Sequence, residues 1–252
     1  MVTPDQAIET IRETGGAKPG YRALHAKGKL YRGTFSATAE AAGLSRAAHL
    51  TGAAVPALIR FSNGSGNPGQ PDNAPGVRGM AVKFTLPDGS TTDVSTQTAK
   101  LFPASTPDGF VSLLHAMRPG PTAPLRLIGY IVTHPRFLSA LPVVRAANTV
   151  PASYATVAYH GLHAFRWVAG DGSARFVRYH LQPAAGEEIL PPDVAKAKDA
   201  DFLIEEFDKR VAAQPVRFEY QVQIAAHGDS TVDPSGSVNF TASPRTPGAL
   251  SG

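Results

Sequence analysis

Val216-Arg217-Phe218-Glu219-Tyr220-Gln221-Val222-Gln223-Ile224 alternates apolar and polar side chains without a break. A strand repeats every two residues, so this stretch has one greasy face and one polar face. It reads as part of a sheet that covers a core on one side only. Upstream, Gly170-Asp171-Gly172 separates residues 161–168 from 174–181 and signals a hairpin. Residues 30–37, 55–62, 77–86 and 91–98 read as four more strands, with Pro87-Asp88-Gly89 as the turn between the last two. Helices are expected at 4–14, from Pro107 to Met117 with Pro119-Gly120-Pro121 ending it, near 124–133 and 135–147, and at 192–213. Turns, not βαβ crossovers, join neighbouring strands. The expected class is therefore α+β: an antiparallel sheet closed into a barrel, which removes its edges, with helices inserted. In residues 227–252, Ser, Thr, Gly and Pro fill 15 of 26 positions, so this tail is expected to be disordered and the packed domain to span 1–226.

Composition narrows the function. Zero cysteines exclude a disulfide framework, a thiolate-bound metal and a cysteine nucleophile. The net charge of +4 is too small and scattered to argue for nucleic acid. No apolar run approaches a membrane span, and the N-terminus lacks a basic region followed by an apolar stretch, so the expected location is the cytoplasm.

Few residues invite chemistry. His25 precedes the first strand and could serve as an acid–base group, although a lone loop histidine reads first as a solvated or turn-forming residue. His160 and His163 are three apart in an expected strand, which puts them on opposite faces and argues against a metal site. His180 has no companion in the sequence. Asn63-Gly64-Ser65-Gly66-Asn67-Pro68-Gly69 lacks the Gly-Lys-Ser/Thr ending of a phosphate loop and reads as a flexible connection. Arg60 and Arg78 sit at strand ends, where an arginine either caps the strand or meets a ligand carboxylate or phosphate.

Taken in order, several segments resemble the haem catalase superfamily. Arg22-x-x-His25-Ala26-Lys27-Gly28 resembles its distal-histidine segment, and Arg60-Phe61-Ser62 its Arg-Phe-Ser strand. Arg78-Gly79-Met80-Ala81-Val82-Lys83-Phe84 is similar to the segment that follows. Leu101-Phe102-Pro103 with Thr106-Pro107-x-x-Phe110, then His163-Ala164-Phe165-Arg166 with Arg178-Tyr179-His180, continue the match as far as residue 226. The short middle section resembles the small, catalase-related peroxidase branch.

The resemblance implies an eight-stranded antiparallel barrel, haem b as cofactor, and hydrogen peroxide or an organic hydroperoxide as substrate, with a reducing substrate besides. It implies His25 as the distal acid–base group, oriented by Ser62, and Arg22 and Arg60 as partners of the haem propionates. Leu24, Phe102 and Phe110 would contribute to the haem surroundings, and His163 to the polar network behind the axial ligand. Gln97 falls where the family has a distal asparagine, a change that favours peroxidase over fast catalase chemistry. The family's axial tyrosine follows the last barrel strand, whereas here no tyrosine follows Tyr220. Arg175-Phe176-Val177-Arg178-Tyr179 has the family's Arg-x-x-x-Tyr spacing but lies in the hairpin, so no metal ligand is named. The expectation is a peroxide-dependent haem enzyme, as a monomer or homodimer; the alternative is an inactive barrel that binds haem or another apolar ligand without turnover.

Overall fold

The computed structural model describes residues 1–118, 120–135, 137–233, 235 and 245–251. Helix α1 (Pro4–Gly15) starts at Thr3, whose side chain accepts from the Gln6 N–H while the Gln6 side chain accepts from the Thr3 N–H. Strand β1 (Gly28–Ala37), the short helix α2 (Ala41–Leu44), and strands β2 (Val55–Asn63), β3 (Arg78–Thr85) and β4 (Thr91–Gln97) follow. Helices α3 (Pro107–Met117), α4 (Ala123–Thr133) and α5 (Phe137–Ala147) form the inserted group. The chain returns to the sheet as β5 (Tyr159–His160), β6 (Phe165–Val168) and β7 (Ala174–Pro183). It ends with α6 (Pro192–Lys196), α7 (Phe202–Ala213), β8 (Arg217–Ile224) and β9 (Arg245–Ser251).

The sheet runs β5-β4-β3-β2-β1-β9-β8-β7-β6, and β5 also pairs with β7. That last pairing closes an eight-stranded antiparallel barrel, with β6 continuing along the β7 edge that β5 begins. Alternation places Phe35, Phe61, Met80, Val82, Phe84, Tyr159, Leu181, Tyr220 and Val222 inside, all 2% exposed or less. Helix α7 lays Phe207 against Tyr31 and Phe61, with ring centroids 4.7 and 4.6 Å away. A smaller cluster of Leu113, Ala116, Tyr130 and Phe137 holds the inserted helices together. Among the described residues no helix is long and apolar enough to cross a membrane.

Three expectations need correction. The helix expected at 192–213 is two, α6 and α7. The chain between them gives its Ala200 carbonyl to the Asp72 N–H at 2.7 Å and to Lys27 Nζ at 2.7 Å, which an unbroken helix would keep for itself. The strand expected at 161–168 forms only from Phe165. Gly161 presses against the Tyr179 ring, where a Cβ would lie 2.5 Å from Cε2, and the chain leaves the ladder there.

The third correction concerns the tail: residues 245–251 are strand β9, not disordered. β9 pairs with β1 and β8, which would otherwise each present an open edge. Its backbone carries that role, so little apolar pattern is needed beyond Leu250, which is 2% exposed. Gly248 passes the Phe35 ring so closely that a Cβ would meet Cζ at 2.3 Å. Pro119, residues 234, 236–244 and 252 lie outside the described residues, so the expected breaker at Pro119 and the rest of the tail are not covered.

Candidate active site

An open cleft of about 390 Å³ lies along the barrel, lined by residues of β2, β3 and β4 and of the segment 160–165. That volume falls in the range of ligand pockets, about 300–1,000 Å³. Seven sequence-derived candidates line it: Arg22, Leu24, His25, Arg60, Ser62, Gln97 and His163. Phe102 and Phe110 do not; their rings pack on each other, with centroids 4.7 Å apart.

His25 is built into this wall from several sides. Its φ is +56°, a left-handed backbone that a non-glycine residue adopts only when its surroundings impose it. Arg60 donates to the His25 carbonyl at 2.8 Å, and the His25 N–H donates to Gly64 O at 3.3 Å. Ala26 N–H donates to Ser65 O at 2.9 Å. The glycine-rich loop is therefore the backbone partner of the histidine segment, where the sequence suggested a flexible connection. Next along the chain, Lys27 Nζ meets Asp72 at 2.8 Å and Asp201 at 2.7 Å. Asp72 is fully buried and also accepts from Asn63 Nδ2 at 2.7 Å and Leu203 N–H at 3.0 Å.

The imidazole of His25 sits on Gly79. A Cβ at Gly79 would lie 2.8 Å from ring atoms Cε1 and Nδ1 and 3.0 Å from Ser62 Oγ, so only glycine admits the ring here. His25 Nδ1 is 3.1 Å from Ser62 Oγ, which fixes the ring plane. Burial first, then the charges of Arg60 and Arg22, lower its pKa to about 4. It is a neutral imidazole at physiological pH. Gln97 is directly opposite Gly79 on the next strand and lines the same cleft as the ring.

Arg78 is only 1% exposed and donates to the carbonyls of Asp72, Ala74 and Gly76, so it braces the turn before β3. Tyr179 lines the cleft but is 6% exposed, stacked on Phe165 at 5.2 Å and on Tyr220 at 6.0 Å. Burial pushes the pKa of its phenol up, and the Ser95 backbone opposes this only in part.

Two histidine expectations are corrected. His160 and His163 both line the cleft, because the ladder breaks between them at Gly161. His180 does have a companion: its Nδ1 is 2.8 Å from His160 Nδ1. Sequence reasoning missed that pair and the Gly79 seat. The signal for the pair was the shared position of His160 and His180 on antiparallel strands, which needs the register to be seen. Among the described residues no group of three or more His, Cys, Asp or Glu is placed to hold a metal ion.

Known proteins bear on this site. A catalase-related peroxidase of Mycolicibacterium paratuberculosis (strain ATCC BAA-968 / K-10) is 69% identical over 234 residues, 93% of this chain and 75% of that protein. A catalase-related peroxidase of Synechococcus elongatus is 32% identical over 264 residues, 98% of this chain and 78% of that protein. Among solved structures, a fungal catalase is similar in fold, with a TM-score of 0.79 at 18% identity over 100% of this chain. This chain spans only 54% of that catalase. The family described as catalase matches residues 5–234, nearly the whole length, and the chain belongs to it.

Proposed function

We propose that this chain is a haem-dependent oxidoreductase that cleaves hydrogen peroxide or an organic hydroperoxide. The observation that carries the reading is the His25 imidazole, seated on Gly79, bonded to Ser62 and kept neutral in an open cleft. Arg22 and Arg60 at the cleft suit two carboxylates, and Leu24 and Met80 give it apolar lining. These residues fit one face of a flat, apolar dicarboxylate cofactor. Arg22 and Arg60 would hold its propionates, and His25 and Gln97 would face the substrate bound on it. When bound, haem supplies the electrons that break the O–O bond.

The chain's own part is proton management. With Nδ1–H donating to Ser62 Oγ, His25 Nε2 is the base that takes the hydroperoxide proton. A pKa of about 4 means that this proton is held weakly and returns readily to the departing oxygen, which leaves as water or an alcohol. The Gln97 carboxamide, next to Gly79, is the second polar contact for the peroxide.

The test compares wild type with His25→Ala, measuring peroxide consumption and haem uptake. Loss of a general acid–base group lowers turnover on the order of 10²–10⁴-fold. Haem uptake is expected to persist. Unchanged peroxide consumption would remove His25 from the reaction. One observation favours a second reading, a barrel that holds haem without turnover: Tyr179, the one tyrosine lining the cleft among the described residues, is buried and stacked on Phe165 and Tyr220. Haem uptake with no peroxide consumption by the wild type would select it.

A further inference from the structure

Directly opposed residues form a row across the outer face of the barrel. Ser62 pairs with Gly79, Gly79 with Gln97, Gln97 with His160, and His160 with His180. Cross-strand partners share a face, so the row runs from the seat of His25 to a second pair of imidazoles. His160, His180 and Gln223 are 8%, 8% and 7% exposed, and buried polar groups of this kind are kept only when satisfied. His180 Nε2 is 2.8 Å from Gln223 Oε1, and the two Nδ1 atoms are 2.8 Å apart.

This chain of bonds has a direction. Gln223 Oε1 accepts, so His180 Nε2 carries the hydrogen and donates it. His180 Nδ1 is then an acceptor and takes the Nδ1–H of His160. His160 Nε2 is left with its lone pair. Among the described residues that atom makes no hydrogen bond, and it is not sealed from solvent. Burial, then the charges of His180 and Lys100, lower the pKa of His160 to about 3. His180 is likewise lowered by burial, with Lys100 and Arg178 facing it.

His160 stands two strands away from Gly79, the seat of His25. Two strand spacings separate Gly79 from His160, roughly 10 Å. A single peroxide does not span that distance. A reaction that consumes a peroxide and a reductant needs a second contact point. Leu162 and Phe165, the latter 41% exposed, line the cleft beside His160 and suit an aromatic ring.

We propose that His160 is the contact for the reducing substrate, with Nε2 accepting the hydrogen bond and then the proton of a phenol-type O–H donor. The proposal rests on the peroxide reading above. Each donor, AH, gives one electron and one proton. Two of them convert ROOH into ROH and H2O and leave as two A radicals. A phenol that has lost an electron is a strong acid, so a weak base suffices to take its proton. His180 and Gln223 act as positioning residues that fix which nitrogen is free.

The experiment has two arms. In the first, the haem-loaded protein is mixed with hydrogen peroxide alone and the rate of that single-turnover step is read; guaiacol is then added and the rate of its own oxidation step is read separately. His160→Leu is expected to slow the guaiacol step tenfold or more at an unchanged peroxide step, and His160→Gln, which keeps an acceptor, to lose less. An unchanged guaiacol step, or an equal fall in the peroxide step, overturns the proposal. His25→Ala slows the peroxide step itself if the peroxide reading holds, so failure of that reading has its own signature. The second arm reads ring-nitrogen NMR shifts of ¹⁵N-histidine-labelled protein without haem. His160 is expected with Nδ1 protonated and Nε2 bare, and Gln223→Met is expected to mix the tautomers. Protonated Nε2 in the wild type overturns the assignment without recourse to any variant.

Discussion

The two walls of the cleft are held by different means. On one side, His25, Ser62, Gly79 and Gln97 stand on or against three consecutive strands, with the His25 backbone tied to Gly64 and Arg60. Behind that wall, Lys27, Asp72, Asn63 and Leu203 form a buried network. On the other side, residues 161–164 form no strand, and His163 and Phe165 are exposed. Positions on regular, cross-bonded elements keep their geometry, whereas a gap in the ladder yields locally. The first wall holds one imidazole in one place; the second is irregular and more exposed.

The contrast can be broken most severely from behind the first wall. Asp72→Ala leaves the Lys27 ammonium without its buried partner and frees Asn63 and the Leu203 N–H. Loss of one member of a buried ion pair costs about 3–5 kcal/mol, to be read from chemical denaturation. Gly79→Ala acts on the seat itself. The new Cβ meets the His25 ring at 2.8 Å and must displace it. A misplacement of this size costs about a hundredfold in peroxide consumption, with the barrel still folded by circular dichroism.

Ser62→Ala is milder. It removes the hydroxyl at 3.1 Å from His25 Nδ1 and with it the constraint on the ring, a loss of about 1 kcal/mol, roughly fivefold in rate. His163→Ala, on the irregular wall, is expected to change stability by less than about 0.5 kcal/mol, as exposed substitutions do. A larger loss there would show that the second wall is as constrained as the first.

Acid distinguishes the walls as well. In the folded protein His25 titrates at about 4 and His160 at about 3, against 6.5 for a free histidine. Between those values and 6.5 the unfolded chain binds protons that the folded one does not. Stability therefore rises with pH through this window and is lost as pH falls towards 4 and then 3. Replacing His25 with alanine is expected to flatten the upper part of this slope, measurable as the midpoint of urea unfolding between pH 4 and 6.5.

The long strands are legible in the sequence alone, because two-residue alternation is a local property that burial on one side imposes. The sequence also shows the residues of the His25 segment and their approximate partners, since Arg22, His25, Arg60 and Ser62 lie in recognisable ordered stretches. It did not determine β9, whose residues carry almost no pattern and whose place is set by the two edges it closes. Nor did it determine the helix break at Ala200, the Gly79 seat or the His160–His180 pair. Gly79 is 54 residues from the ring it carries, and 20 residues separate the paired histidines. Only the closed register brings them together, because a side chain's hydrogen-bond partner belongs to the neighbouring strand and not to its neighbours in the chain.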